Sequence, residues 1–560
     1  MKSKSQFGLA FALALLACAV TAVAQQGASK QEFQEAKREL GRKVKSPSPE
    51  VRADACKVLA RFDGKTAAGM IIEAMEVAEA DVQKLMSDRA NLYKRWEEVK
   101  LDWTIIEKDQ KQRIQKYRAA QRQFADHYEL YMRHMRAKGD IVAALGGIED
   151  PVAVNLFAKR LRTHRSKRAW VLRSIVSEAF AKVQSPVVLE TLTDMVNKKT
   201  ASSAYDPRIA VRAIYALAGQ ADMGAEKAII TAAKSAEDWQ VRAAAIDAIG
   251  QNRMLLAKPT LEEIIKTETG RLRKDALVAL HKVDPRGRYD YDDELADVAY
   301  PCLDLECHSR NVMFVISAGY SMSKLWDTSA DPVVDPAENV TRFEIAKEGV
   351  KDYLRTIVSD MEALEDPKKE LIPFRFNVCI YRGYSEFFEK EMVEVTSISQ
   401  IYKIEDAIRW LDWDSTGQER RAVGEANLVE ALDKCFNLVG FGSQYDAVNI
   451  ERQPDTMILM MDITPDAGAF RYTGDEEDKK KAKADAWVNI KELVDVLDQY
   501  RQVQLSTIGI GTDAVTIVRD LKGLSARTGG GYLDYTPSSA TNRIKARERA
   551  RERQSRRERD

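Results

Sequence analysis

The sequence has little proline, glycine, cysteine or histidine for its length, with 15 Pro, 28 Gly, 6 Cys and 5 His among 560 residues. So few proline and glycine residues argue against a loop-rich or all-β protein and indicate long helical stretches. Basic and acidic residues number 86 each, and this zero net charge gives no support to attraction of the whole protein to nucleic acid or to an anionic membrane. At about 150 residues per domain, the length predicts three or four domains.

Sequence motifs that carry catalysis are also absent. We find no nucleophile elbow, no paired-histidine zinc motif, no phosphate-binding Gly-Lys loop and no dinucleotide fingerprint. The glycines at 529–531 precede a predicted strand, whereas phosphate loops precede a helix. His127 and His134 are seven residues apart on one predicted helical face, where packing is the expected role. We therefore predict that the protein is not an enzyme, needs no cofactor and binds no nucleic acid.

The amino terminus has the pattern of an export signal. Lysines at 2 and 4 precede an apolar run, and small residues at 22 and 24 provide a cleavage site, so residues 1–24 are predicted to be a signal peptide. Cys18 lies in a sequence similar to a bacterial lipobox, which leaves lipidation there as the alternative. No later stretch approaches the roughly 20 apolar residues of a membrane span. We expect the protein in the periplasm, in the cell envelope or outside the cell.

One helical pattern recurs along the first half of the chain. Ile209, Val241 and Leu272 open matching segments spaced by 32 and 31 residues, each with small residues at helical spacing. Such a period is typical of a solenoid, in which stacked helix pairs bury a continuous core that one pair cannot bury alone. The pattern resembles HEAT repeats over residues 25–75 and 139–284. An all-α solenoid is therefore expected in these two ranges.

Two segments depart from the repeat pattern. Residues 76–138 contain neither proline nor glycine and have apolar residues at spacings of three and four, which predicts a long helix or a helical hairpin. Its aromatic seam could pack in the core or against a second copy of the chain. Residues 285–310 lack this periodicity and are predicted to be a linker, in which Cys302 and Cys307 are near enough in sequence to close a disulfide.

From residue 311 to 536, buried strands alternate with amphipathic helices, which predicts an α/β fold with a doubly wound, mostly parallel sheet. This range resembles a von Willebrand factor type A domain. The resemblance rests on blocks at Phe314–Met322, Arg342–Lys347, Gly424–Leu428, Ile458–Pro465 and Thr507–Gly511 with Leu524–Gly530. It implies a Rossmann-like domain, after which residues 537–560 are predicted to be a solvated, arginine-rich tail.

The resemblance also implies where a metal ion would bind, and the sequence departs from the family there. The family's Asp-x-Ser-x-Ser loop is represented by Ser317, Gly319 and Ser321, its threonine by Ala426 and its second aspartate by Asp462. A hard divalent cation needs near-octahedral oxygen ligands and compensating charge, and only one of two carboxylates remains. We therefore predict a degenerate metal-ion-dependent adhesion site that binds no metal.

Tyr320 occupies a position where the family usually has glycine, and it is predicted to contact a protein partner. Together these features predict an exported, non-catalytic scaffold for protein–protein interaction. Two alternatives stay open: magnesium- or calcium-dependent adhesion through the residual site, and an enzyme or enzyme subunit whose active site matches no motif. The pairing of helical repeats with a von Willebrand A-like domain resembles envelope proteins of bacteria, planctomycetes among them.

Overall fold

The structure is a computed structural model that describes residues 30–98, 110–163, 170–197, 205–287, 300–326, 340–363, 373–383, 385–414, 417–422, 426–437, 453–462, 476–500, 502–511 and 515–536. Within these ranges the chain is mostly helical and includes a mixed sheet in its C-terminal part. It divides into two compact units, Met1–Lys84 with Tyr131–Ala228, and Leu85–Leu130 with Ile229–Asp560. The predicted signal 1–24, Cys18 within it, and the tail 537–560 lie outside the described residues.

The helices have the following bounds. The first half of the chain contains α1 Lys30–Lys43, α2 Pro49–Leu59, α3 Lys65–Glu98, α4 Gln110–Leu145, α5 Pro151–Thr163, α6 Trp170–Ala179, α7 Pro186–Val196, α8 Pro207–Ala218, α9 Met223–Ser235, α10 Trp239–Asn252, α11 Lys258–Thr267 and α12 Gly270–Val283. The C-terminal part contains α13 Arg342–Glu362, α14 Tyr402–Asp412, α15 Leu428–Phe436, α16 Glu476–Asp498 and α17 Val515–Arg527. In the described part of the chain, no helix is long and apolar enough to cross a membrane.

The three matching repeat segments each form one helix, namely α8, α10 and α12. Asp206 accepts a hydrogen bond from the amide of Arg208 and so caps α8, where Pro207 occupies the first turn. All their alanines except Ala218 are buried, and Gly250 of α10 approaches Ala279 of α12 so closely that an added Cβ would lie 3.0 Å from its Cα. Small residues thus permit the close helix packing that the repeat pattern predicts.

The described parts of the proline-free segment, 76–98 and 110–138, are helical and belong to two long helices, α3 and α4. Residues 99–109 between them lie outside the described residues. Within the second unit, the guanidinium of Arg89 in α3 lies 5.0 Å from the ring centroid of Tyr128 in α4. Arg89 also donates to Oδ1 of Asp433 in α15 across 2.7 Å, and both side chains are fully buried. This part of the helical segment therefore packs against the sheet-containing region, whereas self-association through it stays a prediction.

Part of the predicted linker is a β-hairpin instead. Strands β1 Tyr300–Cys302 and β2 Leu305–Cys307 pair antiparallel, with Cys302 opposite Leu305 and Cys307 opposite Tyr300. Both cysteines are buried and unbonded, and the register of the hairpin argues against the expected disulfide. The physical reason is the register: the two cysteines are diagonal neighbours, whose Cα atoms are typically about 7–8 Å apart, beyond the usual span of a disulfide.

The main sheet has seven strands, and five of them form its parallel part. Its members are β3 Asn311–Ser317, β4 Phe374–Tyr381, β5 Ser385–Phe387, β6 Val393–Val395, β7 Thr456–Met461, β8 Gln504–Ile510 and β9 Tyr532–Tyr535. The order is β5-β4-β3-β7-β8-β9, with β6 also paired to β4. Strands β5 and β6 run antiparallel to β4. The mostly parallel sheet expected from the alternating pattern is therefore present, and the unpredicted strands β5 and β6 make it mixed.

One face of this sheet carries the large hydrophobic cluster of the second unit. Val312, Phe314 and Ile316 of β3 point into it, together with buried side chains of β4, β7, α13, α14 and the hairpin. Tyr353 of α13 contacts the ring of Phe314 edge-on, with centroids 5.1 Å apart. The last repeat helix, α12, contacts the amino-terminal end of strand β8. Gln504 at the start of β8 donates a hydrogen bond to Asp275 of α12 across 2.8 Å.

Candidate functional site

The candidate site lies where the connections of the sheet change direction. The chain leaves β3 for β4 on one side, and β7 later returns to pair with β3 on the other side. Both pairings are parallel, so the carboxyl ends of β3 and β7 meet at one edge of the sheet. The connections after these two strands diverge there, and open α/β sheets bind ligands in such a crevice. Ser317 ends β3 and Asp462 directly follows β7.

Asp462 is held by two side chains that come from different elements. Oγ of Ser321 donates to Oδ1 of Asp462 across 2.7 Å. Nη1 of Arg342 donates to Oδ2 of the same carboxylate across 3.0 Å. The Asp462 side chain has no exposed surface, and 8% of the Arg342 side chain is exposed. Both carboxylate oxygens are thus engaged by protein donors, one of which is a full positive charge.

Burial and these partners act in opposite directions on the carboxyl group. Burial raises the pKa of Asp462 above its ordinary value, because desolvation penalises the charged form. The hydrogen bonds from Ser321 and Arg342 and the charge of Arg342 lower it, and the net direction is upward. The guanidinium therefore offsets part of the cost of burying this carboxylate.

Arg342 reaches Asp462 because of where its helix begins. It is the first residue of α13, whose start is fixed by a capping box between Thr341 and Glu344. Gly511, just after β8, has a φ of +60° and lies against the guanidinium. An added Cβ at Gly511 would lie 2.7 Å from Nε of Arg342. Glycine is therefore required there both by the backbone conformation and by the close approach.

The two positions at which the sequence lacks the family's hydroxyls lie next to each other. An added Cβ at Gly319 would lie 2.9 Å from Cβ of Ala426, which precedes α15. The loop after β3 thus meets the start of α15 through small apolar groups. Ser317 is buried and pairs in register with Tyr381 at the end of β4, whose hydroxyl lies 4.0 Å from Sδ of Met461. All five positions lie at this edge of the sheet, but only Ser321 and Asp462 share a direct hydrogen bond.

Tyr320 is the exposed member of the site. It begins a 3₁₀ turn, Tyr320–Ser323, and 73% of its surface is accessible. Ser321 beside it is buried and points inward to Asp462. The loop thus presents one aromatic ring outward while its next residue anchors it, and the role of Tyr320 in partner binding stays a prediction.

Sequence reasoning missed Arg342 and Gly511 as members of the site. Both belong to blocks that carried the family resemblance, but neither was given a role. One feature of the sequence could have pointed to an arginine. The five positions of the family's metal site contain one acidic residue, Asp462, and no basic residue that could neutralise its charge once it is buried. A nearby arginine at a helix start is one way to supply that charge.

Within the described ranges, the side chains that could bind a metal ion, the histidines among them, are not clustered. No group of three or more His, Cys, Asp or Glu side chains there could hold a metal ion. His127 is buried, and its pKa is lowered to about 4 by burial and by the charge of Arg89. His134, in the other unit, has Nδ1 3.5 Å from Nη2 of Arg52. Each of the two histidines therefore packs beside an arginine.

The repeat helices match a known family. Residues 200–281 match the family model of HEAT repeats. This match confirms the helical repeats over the second half of the predicted range 139–284. HEAT repeats are commonly modules for protein interaction. No curated protein matches the chain.

Two solved structures show a distant likeness to the chain. One is an engineered protein from a structural genomics consortium, with 17% identity, 45% of this chain and 98% of that chain covered, and a TM-score of 0.21. The other is the RO (RSR) protein of Deinococcus radiodurans, with 9% identity, 91% and 90% covered, and a TM-score of 0.17. Neither TM-score supports an argument about fold or function.

Proposed function

We propose that the chain is an exported, non-catalytic scaffold for protein–protein interaction, in which HEAT repeats accompany a von Willebrand A-like domain that works without a metal ion. The observation that supports this most is the buried pair of Arg342 and Asp462, with Ser321 as the third member. A guanidinium supplies the positive charge that a divalent cation would supply in a functional adhesion site. The crevice would then be formed permanently rather than upon metal binding.

The chemistry of the donor set supports the same proposal. The oxygens at the edge of the sheet are one carboxylate and the hydroxyls of Ser317 and Ser321, and the carboxylate already has two donors. Magnesium requires near-octahedral oxygen coordination, and calcium takes six to eight oxygens. A cation would have to displace Arg342 and leave its guanidinium buried without a counter-charge. Such a displacement costs several kcal/mol, which weighs against metal-dependent adhesion.

The binding surfaces in this proposal are the HEAT repeats and the edge of the sheet around Tyr320. Repeat helices offer an extended surface that suits protein recognition. Tyr320 adds an exposed aromatic ring beside a loop that the Ser321–Asp462 hydrogen bond anchors. Aromatic side chains are frequent among residues that dominate interface energetics. The partner in this proposal is a protein.

The test is thermal unfolding of the full chain in EDTA and then in millimolar magnesium, calcium or manganese. A ligand at a hundredfold excess over its dissociation constant stabilises a protein by about 2.7 kcal/mol. We expect the same melting temperature in every condition. A clear rise with one cation would contradict the proposal and favour metal-dependent adhesion through Ser317, Ser321 and Asp462.

The variant Arg342→Ser gives this test an internal comparison. It removes the guanidinium and leaves the Asp462 carboxylate free to accept another cation. A cation-dependent rise in this variant alone would show that the arginine and a metal compete for one position. A rise in both proteins would show that the arginine does not exclude metal, which the proposal forbids.

A further inference from the structure

Two buried cysteines from different elements meet on the face of the sheet that α13 does not cover. Side chains of a strand alternate between the two faces, and Phe376, Val378 and Ile380 of β4 belong to the cluster beneath α13. Cys379 therefore points to the opposite face. It is fully buried and is a free cysteine.

Helix α15 covers this opposite face at β4. All nine residues of α15 are buried, but Asp433 accepts from Arg89 of α3, so Cys435, two residues and about 200° further round the helix, points the other way, towards the strands. The helix contacts β3, β4 and β5. The Cys379 thiol contributes to the raised pKa of Cys435, in agreement with this placement. Strand alternation and helix periodicity thus place the two sulfur atoms together.

The remaining described cysteines have other neighbours. The thiol of Cys302 lies 3.7 Å from the backbone oxygen of Gly349, and Cys307 lies opposite Tyr300 in the hairpin. Cys56 lies in α2, in the other unit. These three serve as internal comparisons for the pair in β4 and α15.

We propose that Cys379 and Cys435 form a disulfide that joins β4 to α15 when the chain folds in an oxidising compartment. The reaction is thiol–disulfide exchange with a small disulfide oxidant such as oxidised glutathione. One cysteine thiolate attacks the oxidant and releases one reduced thiol, which gives a mixed disulfide. The second thiolate then displaces the other thiol, so two electrons pass to the oxidant and two protons leave the cysteines. The proposal rests on the export that forms part of the proposed function, but not on what the crevice at Asp462 binds.

The burial of the pair decides when the bond forms. Burial raises the pKa of Cys435 well above its ordinary value, and the neighbouring Cys379 thiol acts in the same direction. Because the thiolate is the reacting species, the folded and reduced core should be inert to exchange. The bond must therefore form during folding, before α15 closes over β4.

The experiment refolds the full chain from denaturant in a buffer of reduced and oxidised glutathione. The chain is then denatured so that every free thiol can be blocked with iodoacetamide, and the digest is mapped by mass spectrometry. We expect a peptide pair linked through Cys379 and Cys435 that lacks two hydrogen atoms, and an alkylated Cys56. The same buffer added to chain that is already folded and reduced should give far less of this link.

Melting temperatures provide the second measurement. We expect the oxidised chain to melt higher than the chain in dithiothreitol, by on the order of 10 °C. Cys435→Ala should abolish this difference, whereas the matched variant Cys56→Ala should keep it. If Cys435→Ala fails to fold, the peptide map of the natural chain still shows whether Cys379 and Cys435 are linked. Alkylation of both Cys379 and Cys435 after oxidative refolding, or their linkage to other cysteines, would overturn the proposal.

Discussion

Arg342 and Asp462 are 120 residues apart in sequence and form a buried ion pair, with Nη1 of the arginine 3.0 Å from Oδ2 of the aspartate. The pair connects the start of α13 to the residue that follows β7. Ser321 donates to the other carboxylate oxygen and so ties the loop after β3 to the same point. One carboxylate thus fixes three elements at the edge of the sheet.

The first prediction is that Asp462→Asn destabilises the protein strongly. The substitution keeps the shape of the side chain but leaves the buried guanidinium of Arg342 without a counter-charge. Removing one member of a buried pair costs about 3–5 kcal/mol. The free energy of unfolding should be measured by urea denaturation followed by circular dichroism.

Asp352→Asn is the matched control, because Asp352 pairs with Arg355 at 2.8 Å on the surface of α13. The side chains of Asp352 and Arg355 are both more than half exposed, so the substitution should lower the free energy of unfolding by less than about 1 kcal/mol. Similar losses in the two variants would show that the buried pair has no special weight.

The second prediction concerns the glycine that lies against Arg342. Gly511→Ala should destabilise the protein by more than Gly417→Ala, although both glycines have a positive φ, of +60° and +76°. An alanine at 417 meets nothing within 4 Å and experiences only backbone strain, about 1–3 kcal/mol. At 511 the new Cβ also collides with the guanidinium. Urea midpoints of the two variants would test this, and equal midpoints would refute the contact.

Much of the second unit could be predicted from the hydrophobic pattern. Strand β7 has the bounds Thr456–Met461 that the apolar run indicates, because a continuous buried run leaves little freedom in its limits. The hairpin β1–β2 was missed, since its strands have three residues each. Its turn contains Leu303 and Asp304 at positive φ, where an Asn-Gly pair would have been the recognisable signal.

The sequence predicted which residues lie together at the candidate site, but it did not predict the ion pair between Asp462 and Arg342. Ser321 and Asp462 do meet, because parallel strands bring their carboxyl ends to one edge of the sheet. The partner Arg342 could not be read from local sequence, since it comes from the start of a helix whose placement depends on the packed core. The disulfide expectation for Cys302 and Cys307 failed for a related reason, because nearness in sequence does not fix the register of a hairpin.

The third prediction is a pH dependence from Glu79. Burial raises the pKa of Glu79 to about 7, although the amide of Leu172 and the side chain of Gln83 donate to it. Between the ordinary pKa of 4.5 and about 7, the folded chain holds more of this proton than the unfolded chain. Stability should therefore fall as pH rises through this window, by roughly 3 kcal/mol.

Glu79→Gln should remove this part of the slope, and Glu73→Gln, at a half-exposed position in the same helix, should retain it. Urea denaturation of the three proteins at pH 5 and pH 8 would measure the effect. A slope that is unchanged in Glu79→Gln would assign the dependence to other groups.

The fourth prediction has the opposite sign and comes from His127. Its pKa of about 4 is below the ordinary value of 6.5, so the folded chain binds fewer protons than the unfolded chain between these values. Stability from this group is present above pH 6.5 and is lost as pH falls towards 4, by up to roughly 3 kcal/mol. His127→Gln should lack this loss, whereas the exposed His281→Gln should keep it. The free energy of unfolding of each protein should be measured at pH 4.5 and pH 7. A loss of stability at pH 4.5 that persists in His127→Gln would exclude this histidine as its source.

The fifth prediction is that Tyr320→Ala weakens partner binding without affecting the fold. The ring is 73% exposed and makes little contact with the core, so its removal should leave the melting temperature within a few degrees of the natural chain. A well-packed aromatic at the centre of an interface contributes about 2 kcal/mol or more to binding, which is a loss of roughly thirtyfold in affinity. The measurement compares capture of proteins from a cell-envelope extract by the natural chain and by the variant. Tyr402→Ala is the control, because Tyr402 is 55% exposed on α14 of the same unit. If Tyr320→Ala captures every partner as well as the control does, the aromatic at this edge is not a binding residue, and the search moves to the HEAT repeats.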